Sequence, residues 1–293
     1  MSTPPLATIA IISIGQMGLG IARLLRAHSY RIITNITDRS PATLERAKSA
    51  SIELFPTDAS LVREADYILS IVPPRDAVTT AQRIISVFQE EGAEARKGKK
   101  EPLYYLELNA IAPRTVRTIG QLFHKQADEV RFVDGGIIGG PPSVSEEAEG
   151  GGAGSWTCPG IPLSGPYPLT SAPISGSHLA STLHSRYLND AIGTASALKC
   201  SFAALSKGFA ALSLQAYSTA ASVGVLPHLQ EYLDEYGGLG VRTRAERGVT
   251  GCPGKAYRWV EEMRQIGICF GEEVCVLLLS LSFPICSRPF WEN

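Results

Sequence analysis

The stretch SIGQMGLG, residues 13–20, has the glycine spacing of a turn that binds phosphate groups between a strand and a helix. In a dinucleotide-binding turn, the first small residue makes the bend and the second lets the backbone approach a diphosphate. The third lets the helix pack close to the strand. These positions are Ser13, Gly15 and Gly18. We expect serine to serve at the first position provided that its backbone angles are not left-handed. The following helix would then present free N–H groups to the diphosphate.

The segment NITDRS, residues 35–40, follows the second predicted strand and decides which dinucleotide the turn would accept. Asp38 would accept hydrogen bonds from a ribose 2′-hydroxyl and favour NAD. Arg39, with Asn35 and Ser40 near it, would instead hold a 2′-phosphate. Solvated turn charges are the alternative for both ionic side chains. We favour NADP over NAD because a guanidinium beside a hydroxyl is well suited to hold a phosphate.

Lys199 is the side chain that we expect to carry acid–base chemistry. It lies between Leu198 and Cys200 in an apolar run, where a charged amine has no evident structural purpose. A hydride leaves a secondary alcohol only as the hydroxyl proton is taken up, and an amine in a desolvated cleft can take it. A lysine that extends along an apolar helix to reach water is the alternative interpretation.

Residues after two later strands are candidates for ligand contacts. Asn109 would hydrogen-bond a cofactor carboxamide or a substrate. The backbone N–H groups of Gly136, Gly139 and Gly140 would bind a substrate carboxylate, as unhindered amides in loops do. A plain strand-to-loop turn is the alternative for these glycines. The five histidines are isolated in the sequence, and we assign none of them to chemistry and no metal to the chain.

Buried strands alternate with helices along the first half of the chain, and these elements must position the residues named above. Continuous β-branched or aromatic runs predict parallel strands buried on both faces. They lie at 7–14, 31–36, 65–73, 104–110 and 130–138. One helix follows the glycine turn, and another at 40–50 has Ser40 as its N-cap and Pro41 after it. Strands joined by helical crossovers form a doubly wound parallel sheet, so we predict an α/β Rossmann domain.

Residues 143–187 interrupt this alternation. They include SEEAEGGGAGS, whose composition does not allow enough apolar burial for an ordered structure. We therefore predict a flexible excursion at 143–187 within a first domain that spans residues 1–188.

The sequence changes character again from about residue 190. Residues 190–223 are alanine-rich and apolar on most faces, which is typical of a helix buried against other helices. A second amphipathic helix is predicted at 255–270. The sequence thus predicts a smaller all-α domain at 189–293, irregular after about residue 272.

Four motifs together resemble the β-hydroxyacid dehydrogenase family, which includes 6-phosphogluconate and 3-hydroxyisobutyrate dehydrogenases. They are IGQMGLGIARLL (14–25), SIVPP (70–74), LNAIAPRTVRTIG with FVDGGIIGGPP (108–120 and 132–142), and GTASALKCSFAALSKG (193–208). The resemblance implies an NADP-binding Rossmann domain followed by a helical domain like that of 6-phosphogluconate dehydrogenase. It implies hydride transfer between NADP(H) and a small hydroxyacid or keto substrate, with or without loss of carbon dioxide.

The resemblance also implies roles for individual residues. Gln16 and Met17 in the turn, together with Val72 and Pro73 at a strand end, would contact the cofactor. Asp134 would contact the substrate. The family's catalytic lysine corresponds to Lys199.

Some features depart from the family pattern. Ser13 replaces the first turn glycine, and Ala203 stands where the family has an asparagine four residues after the lysine. The stretches 236–255 and 273–293 do not resemble the family. An NADPH-dependent imine or keto reductase, and a protein that binds NADP(H) without turnover, are therefore the alternatives.

Composition excludes several classes of partner. The chain has 293 residues, 27 basic and 28 acidic side chains, which gives no electrostatic reason to bind nucleic acid or an anionic membrane. Its six cysteines form no CxxC pair, which favours a reducing compartment. The N-terminus lacks the features of a secretion signal, and the apolar stretch at 274–286 is too short to span a bilayer. We expect a soluble cytoplasmic protein.

The resemblance also implies an oligomeric state. Family members usually dimerise through the helical domain, and the apolar helix at 190–223 would otherwise leave a large exposed patch on a small domain. We therefore expect a homodimer.

Overall fold

The computed structural model describes residues 4–37, 40–126, 129–144, 156–254 and 256–273. Two compact units divide the chain, residues 1–199 and residues 200–293. The sequence placed the division after residue 188, whereas the first unit includes the opening turns of the helix that begins at Thr194.

Strands and helices alternate in the first unit as the sequence predicts. The strands are β1 Thr8–Ile12, β2 Arg31–Thr34, β3 Glu53–Leu54, β4 Tyr67–Ser70, β5 Leu103–Glu107, β6 Val130–Gly135, β7 Ser143–Val144, β8 Trp156–Thr157, β9 Ile161–Ser164 and β10 Ser185–Tyr187. The helices are α1 Gln16–Ala27, α2 Pro41–Ser49, α3 Asp58–Glu64, α4 Ala77–Glu91, α5 Pro113–Gln126 and α6 Gly176–Thr182.

Six strands form a parallel sheet in the order β3-β2-β1-β4-β5-β6. Ile9 of β1 pairs with Ile32 of β2 on one side and with Tyr67 of β4 on the other. β9 continues the sheet antiparallel to β6, and β10 is parallel to β9. The order reverses between β1 and β4, which is the doubly wound topology of a Rossmann fold, and the predicted fold class is confirmed.

Apolar side chains cover both faces of the sheet. Ile9 and Ile11 of β1 belong to one apolar cluster, which also includes side chains of α1, α2 and α6. Ala10 and Ile12 belong to a second cluster, with side chains of α3, α4 and α5. Successive residues of a strand point to opposite faces, so burial on both faces explains the continuous apolar runs in the sequence.

The prediction of a flexible excursion at 143–187 is wrong for its second part. Residues 145–155 lie outside the described residues, but β9 is buried along its whole length and forms part of the main sheet. Leu179 of α6 is buried in the same cluster as Ile9. The glycine- and glutamate-rich stretch led to a disordered assignment for a neighbouring segment that has enough apolar residues to pack on the sheet.

The second unit is helical, as predicted. Its helices are the greater part of α7 Thr194–Ser222, together with α8 Leu226–Tyr236, α9 Val241–Gly251 and α10 Ala256–Glu273. The Arg244 guanidinium of α9 lies 4.6 Å from the ring centroid of Phe209 on α7. Lys207 of α7 forms an ion pair with Glu262 of α10. The predicted irregular segment after residue 272 lies outside the described residues from position 274 onward.

α7 is the one helix within the described part of the chain that is long and apolar enough to cross a membrane, judged by length and composition only. Core helices of soluble proteins meet the same criterion.

Candidate active site

The predicted site residues follow neighbouring parallel strands and therefore share one edge of the sheet. The glycine turn follows β1, Val72 and Pro73 follow β4, Asn109 follows β5, and the segment 136–140 follows β6. These four strands are consecutive in the sheet, and β1 and β4 flank the point where the strand order reverses. Ligands of open α/β sheets bind in the crevice at this kind of position.

The turn after β1 has the compact geometry of a phosphate-binding turn. A Cβ atom added at Gly18 would lie 2.2 Å from the carbonyl oxygen of Ser13, so only glycine allows α1 to approach the strand this closely. Ser13 itself has a φ of 77°, in the left-handed region. We expected backbone angles outside the left-handed region at Ser13, and this expectation is wrong. The position requires the conformation that favours glycine.

The start of α1 fits a diphosphate group. Gly15 is the N-cap residue, and a Cβ atom added there would meet nothing within 4 Å, so the backbone faces open space. The first turn of α1 contains no acidic side chain. The N–H groups at a helix N-terminus favour an anion, and no carboxylate in that turn of α1 opposes it.

Replacement of Ser13 by glycine is expected to stabilise the protein. A non-glycine residue in the left-handed region costs on the order of 1 kcal/mol, and Ser13→Gly removes that cost. We expect the free energy of unfolding, measured with urea, to rise by less than about 1 kcal/mol, because glycine also increases the freedom of the unfolded chain.

The matched control for this variant is Ser40→Gly. Ser40 has a φ of −60°, so glycine relieves no backbone strain there, while it removes the contact of the Ser40 Oγ with Thr43 and increases the freedom of the unfolded chain. An equal gain in both variants would contradict strain at Ser13.

The segment after β2 is held by hydrogen bonds within the protein. The Asn35 side-chain amide donates to Asp58 at 2.8 Å, and its oxygen accepts a hydrogen bond from the Thr37 hydroxyl at 2.8 Å. Ser40 is the N-cap residue of α2, as predicted, but its side chain makes no capping bond, and its Oγ lies 3.1 Å from the hydroxyl of Thr43. Arg39 and Asp38, the predicted selectors of the ribose group, lie outside the described residues.

Arg46 of α2 is a basic side chain near the glycine turn, and it was not identified from the sequence. Its Nε donates to the backbone oxygen of Ile14 at 3.0 Å, and its Nη2 donates to the Thr43 hydroxyl at 2.9 Å. Because Ile14 lies between Ser13 and Gly15, this side chain joins α2 to the glycine turn after β1. A basic residue next to the buried Ala47 in the predicted helix was the only sequence signal for it.

Asn109 acts on the loop after β4. Its Oδ1 accepts a hydrogen bond from the backbone N–H of Val72 at 2.7 Å, and its Nδ2 donates to Ser70 Oγ at 3.0 Å and to Glu107. The residue is 3% exposed. Both atoms of the amide are thus used inside the protein, which supports a role in positioning Val72 and Pro73 rather than the direct ligand contact that we predicted.

Glu107, at the end of β5, is an ionisable residue that sequence reasoning did not identify. It is fully buried, and its Oε1 accepts hydrogen bonds from the backbone and side chain of Asn109. Its Oε2 has no hydrogen-bond partner among the described residues. Burial raises the pKa of Glu107 to about 8, against the lowering effect of its hydrogen bonds from Asn109 and Ser70. Burial therefore favours the neutral acid.

This burial predicts a fall in stability with rising pH. The pKa of Glu107 is about 8 in the folded protein, above the ordinary value of 4.5 for a glutamate, so the folded state binds more protons between these two pH values. The contribution of Glu107 to the free energy of unfolding is therefore fully present below pH 4.5. It is lost as the pH rises toward about 8, by up to about 1.4 kcal/mol per pH unit.

The variant Glu107→Gln is expected to lack this contribution, which urea unfolding between pH 5 and pH 9 would measure. The pKa of Asp134 is also raised by burial, and it contributes in the same direction in both proteins, so only the difference between them reports on Glu107. Parallel stability curves for the two proteins would show that Glu107 is ionised in the folded state.

Asp134 anchors the start of α7. Its Oδ2 accepts hydrogen bonds from the Ser164 hydroxyl at 2.8 Å and from the backbone N–H groups of Gly193, Ala195 and Ser196 at 2.8, 3.1 and 3.3 Å. Its Oδ1 accepts from the Ser196 hydroxyl at 2.6 Å. The carboxyl group is completely buried, so the predicted substrate contact is wrong. The group instead satisfies the orphan N–H groups of the helix that carries Lys199.

Lys199 lies against the segment that follows β6. Its Nζ donates to the backbone oxygen of Ile137 at 2.7 Å. A Cβ atom added at Gly136 would lie 2.8 Å from Lys199 Cβ, so glycine is needed there for the lysine side chain to pack on the backbone. The Gly136 N–H donates to the backbone oxygen of Pro162 at 3.2 Å, so it is not available for the substrate carboxylate that we predicted it would bind. Gly139 and Gly140 are exposed residues.

The same segment also contacts α1. A Cβ atom added at Gly20 would lie 2.9 Å from Pro142 and 3.1 Å from Pro141, so this glycine lets the segment pack on the helix. Residues 136–142 thus contact both α1, which starts at the glycine turn, and the side chain of Lys199. The structure brings the predicted cofactor and catalytic residues to the same part of the first unit.

Two family models match the chain. Residues 8–152 match the NAD binding domain of 6-phosphogluconate dehydrogenase. Residues 220–279 match a domain of unknown function, DUF1932. This second match includes the stretch 236–255, which therefore belongs to a domain found in other proteins, although it did not resemble the family in the sequence analysis.

Solved structures share the fold over most of the chain. A conserved protein described as similar to 3-hydroxyacid dehydrogenases has a TM-score of 0.64 and 22% identity, with 91% of this chain and 90% of that chain covered. The 3-hydroxyisobutyrate dehydrogenase of Mycobacterium tuberculosis has a TM-score of 0.56 and 16% identity over 80% of this chain and 72% of that chain. The imine reductase of Myxococcus stipitatus, solved with NADP⁺, has a TM-score of 0.56 and 18% identity, with 88% of this chain and 78% of that chain covered. A variant of it was solved with NAD⁺.

Proposed function

We propose that this chain, whose residues 8–152 match the NAD binding domain of 6-phosphogluconate dehydrogenase, is an NADP-dependent oxidoreductase acting on a small hydroxyacid. The observation that carries the proposal is the position of Lys199. Its amine is held on the carbonyl of Ile137, two and three residues before the exposed Gly139 and Gly140.

The cofactor would be held at the turn after β1. The backbone of Gly15, Gln16 and Met17 at the start of α1 would bind the diphosphate, and Val72 and Pro73 would face the nicotinamide end. The cofactor supplies the acceptor or donor of the hydride. Asn109 would hold the loop after β4 in place, because its Oδ1 accepts a hydrogen bond from the backbone N–H of Val72.

Lys199 would handle the proton of the substrate. In oxidation, its neutral amine would accept the hydroxyl proton as the carbonyl forms, and in reduction the ammonium would return that proton. The N–H groups of Gly139 and Gly140 would hold the substrate carboxylate. If a β-keto acid product loses carbon dioxide, the lysine is also placed to protonate the resulting enol.

The choice of NADP over NAD rests on Arg39 with Ser40, and on Arg46 beside the turn. Guanidinium groups bind phosphate more strongly than they bind a hydroxyl. Fluorescence titration should therefore give a lower Kd for NADPH than for NADH. Equal affinities would contradict a phosphate site.

The test of the reaction is an absorbance assay for NADPH with the full chain. We expect NADP⁺ reduction with at least one member of a panel of small 3-hydroxyacids. An imine or keto reductase is the second candidate, because an imine reductase shares this fold over 88% of the chain. Turnover with cyclic imines or ketones but with no hydroxyacid would favour it. Binding of NADPH without turnover of any of these compounds would favour a non-catalytic cofactor-binding protein.

We also propose that the protein forms a homodimer through α7. Leu198, Phe202, Leu205 and Leu212 are 43, 49, 74 and 62% exposed. Their spacing of three, four and seven residues makes an apolar stripe along the helix, as in paired helices. Sedimentation equilibrium should give twice the chain mass for the native protein and a monomer for Leu205→Glu. Gln215→Glu on the same helix is the control, and a monomeric native protein would contradict the proposal.

A further inference from the structure

The segment of residues 71–74, which follows β4, is fastened to both neighbouring strands. β4 lies between β1 and β5 in the sheet. On one side, the backbone N–H of Ile71 donates to the backbone oxygen of Ile12, the last residue of β1, at 3.3 Å. On the other side, the backbone N–H of Val72 donates to Asn109 Oδ1 at 2.7 Å. One hydrogen bond to each neighbouring strand end therefore sets the position of this segment.

Two consecutive prolines make the same segment stiff. Pro73 and Pro74 restrict their own φ angles, and Pro73 has a φ of −55°. A proline also restricts the residue before it, so Val72 and Pro73 have few alternative conformations. A change in the orientation of Val72 would therefore move Pro73 as well. The hydrogen bond of Val72 is thus the contact through which β5 controls the position of this segment.

Asn109 can accept from Val72 in only one orientation of its amide group. Because Val72 offers a donor, Oδ1 must face it, and Nδ2 then donates to Ser70 and Glu107. The hydroxyl of Ser70 can donate as well as accept, so it is compatible with either orientation of the amide. Glu107 Oε1 accepts from Asn109 Nδ2 and also from the Asn109 backbone N–H, at 3.2 Å from the latter. An acceptor at this position favours the orientation that Val72 requires.

Burial makes these hydrogen bonds difficult to replace. Ser70, Val72, Glu107 and Asn109 are all buried. When a buried donor loses its acceptor, water does not take the place of the acceptor freely, and the loss carries a desolvation cost. Glu107 also pairs with Ser70 of β4 on one side and with Asp134 of β6 on the other. Its backbone is therefore fixed within the sheet, and its side chain holds the Asn109 amide from a fixed position.

We infer that Glu107 is a positioning residue of the cofactor site, which acts through Asn109 to hold Val72 and Pro73 where the nicotinamide end of the cofactor binds. The inference rests on the proposed function for the identity of the ligand. Glu107 itself does not contact the cofactor and takes no part in the reaction. The role requires only an acceptor oxygen, so glutamine can replace Glu107 and an apolar side chain cannot.

Fluorescence titration of the full chain with NADPH tests this role. Glu107→Met removes both oxygens and keeps the length of the side chain, so we expect the Kd for NADPH to rise about tenfold. Glu107→Gln keeps an oxygen for Asn109 and is expected to hold the Kd within about threefold of the native value. Leu103→Val is the control for altered packing in the core, because Leu103 is buried at the other end of β5. It should bind NADPH as the native protein does.

Exchange of single backbone amides, measured by NMR without cofactor, tests the hydrogen bonds themselves. We expect the Val72 N–H to exchange faster in Glu107→Met than in the native protein, while the Ile71 N–H keeps its native rate. A native chain that binds neither NADPH nor NADH would overturn the proposed function and, with it, the assignment of this segment to a cofactor. If the native chain binds NADPH, a native Kd or native Val72 exchange in Glu107→Met would overturn the positioning role alone.

A double variant decides the question if Glu107→Met does not fold. Glu107→Met combined with Asn109→Leu removes the donor and the acceptor together, which is less destabilising than leaving one of them unpaired in the interior. Its Kd for NADPH should equal that of Asn109→Leu alone and exceed the native value, because Glu107 acts only through Asn109. A native Kd in the double variant, or a Kd well above that of Asn109→Leu alone, would contradict this role of Glu107.

Discussion

Lys199→Met is expected to lower the turnover number about 10²- to 10⁴-fold and to leave the Kd for NADPH within about twofold of the native value. Methionine keeps much of the length and apolar character of the lysine side chain, so the stem still packs on Gly136. The variant loses the amine that donates to Ile137 and that we propose as the base. Turnover is measured by NADPH absorbance, and Kd by fluorescence titration.

The matched control is Lys207→Met on the same helix. Lys207 is paired with Glu262 in the second unit, so its loss affects an ion pair that we do not place in the reaction. We expect its turnover to stay within a few fold of the native value. The reverse result, loss of turnover in Lys207→Met alone, would move the role of base to Lys207. Equal and normal turnover in both variants would show that no lysine of α7 is the base.

A second readout separates a chemical role of Lys199 from a structural one. If the amine only holds the backbone at Ile137, its loss would lower the stability and the NADPH affinity together with turnover. A base contributes to the chemical step alone, so turnover would fall while KM for the cofactor and the free energy of unfolding stay near native values. The pH dependence of turnover would also lose the limb that reports on the base.

The sequence predicted the parts of the fold that depend on local patterns. The apolar runs of β1, β4 and β5 are buried on both faces of the sheet, and a strand of this kind has few other possible positions. The glycine turn was recognised because Gly18 has a steric role that any side chain would disrupt. The segment around β9 was misjudged because the adjoining glycine-rich stretch dominates its composition.

The sequence did not reveal which polar side chains the interior would use. Asp134 lies in a motif that resembles a substrate loop, yet its hydrogen bonds go to the start of a helix 59–62 residues later in the chain. Glu107 looks like an ordinary strand residue, and only the packing around β5 shows that it is completely buried. Such long-range pairings have no local pattern, so hydrogen-bond partners of polar residues are beyond what periodicity can predict.

Asp134→Asn is expected to lower the free energy of unfolding by about 3–5 kcal/mol, as is usual when a buried polar network is broken. The carboxylate accepts from three backbone N–H groups and two hydroxyls. Asparagine places an amide donor where one of these oxygens was, so at least one buried N–H or O–H group loses its acceptor. Ser164→Ala is the matched control, because it removes one hydroxyl from the same network and should cost only about 1 kcal/mol.

Hydrogen exchange would show whether this loss is local to the start of α7. We expect the amides of residues 193–197 to exchange faster in Asp134→Asn, while those of β1 and β4 keep their native order of protection. Since Lys199 lies within the second turn of this helix, turnover should fall even under conditions where the variant is fully folded. A variant with native turnover and native exchange at residues 193–197 would show that the helix start does not depend on Asp134, and that the contacts of Lys199 with Gly136 and Ile137 position it without that carboxylate.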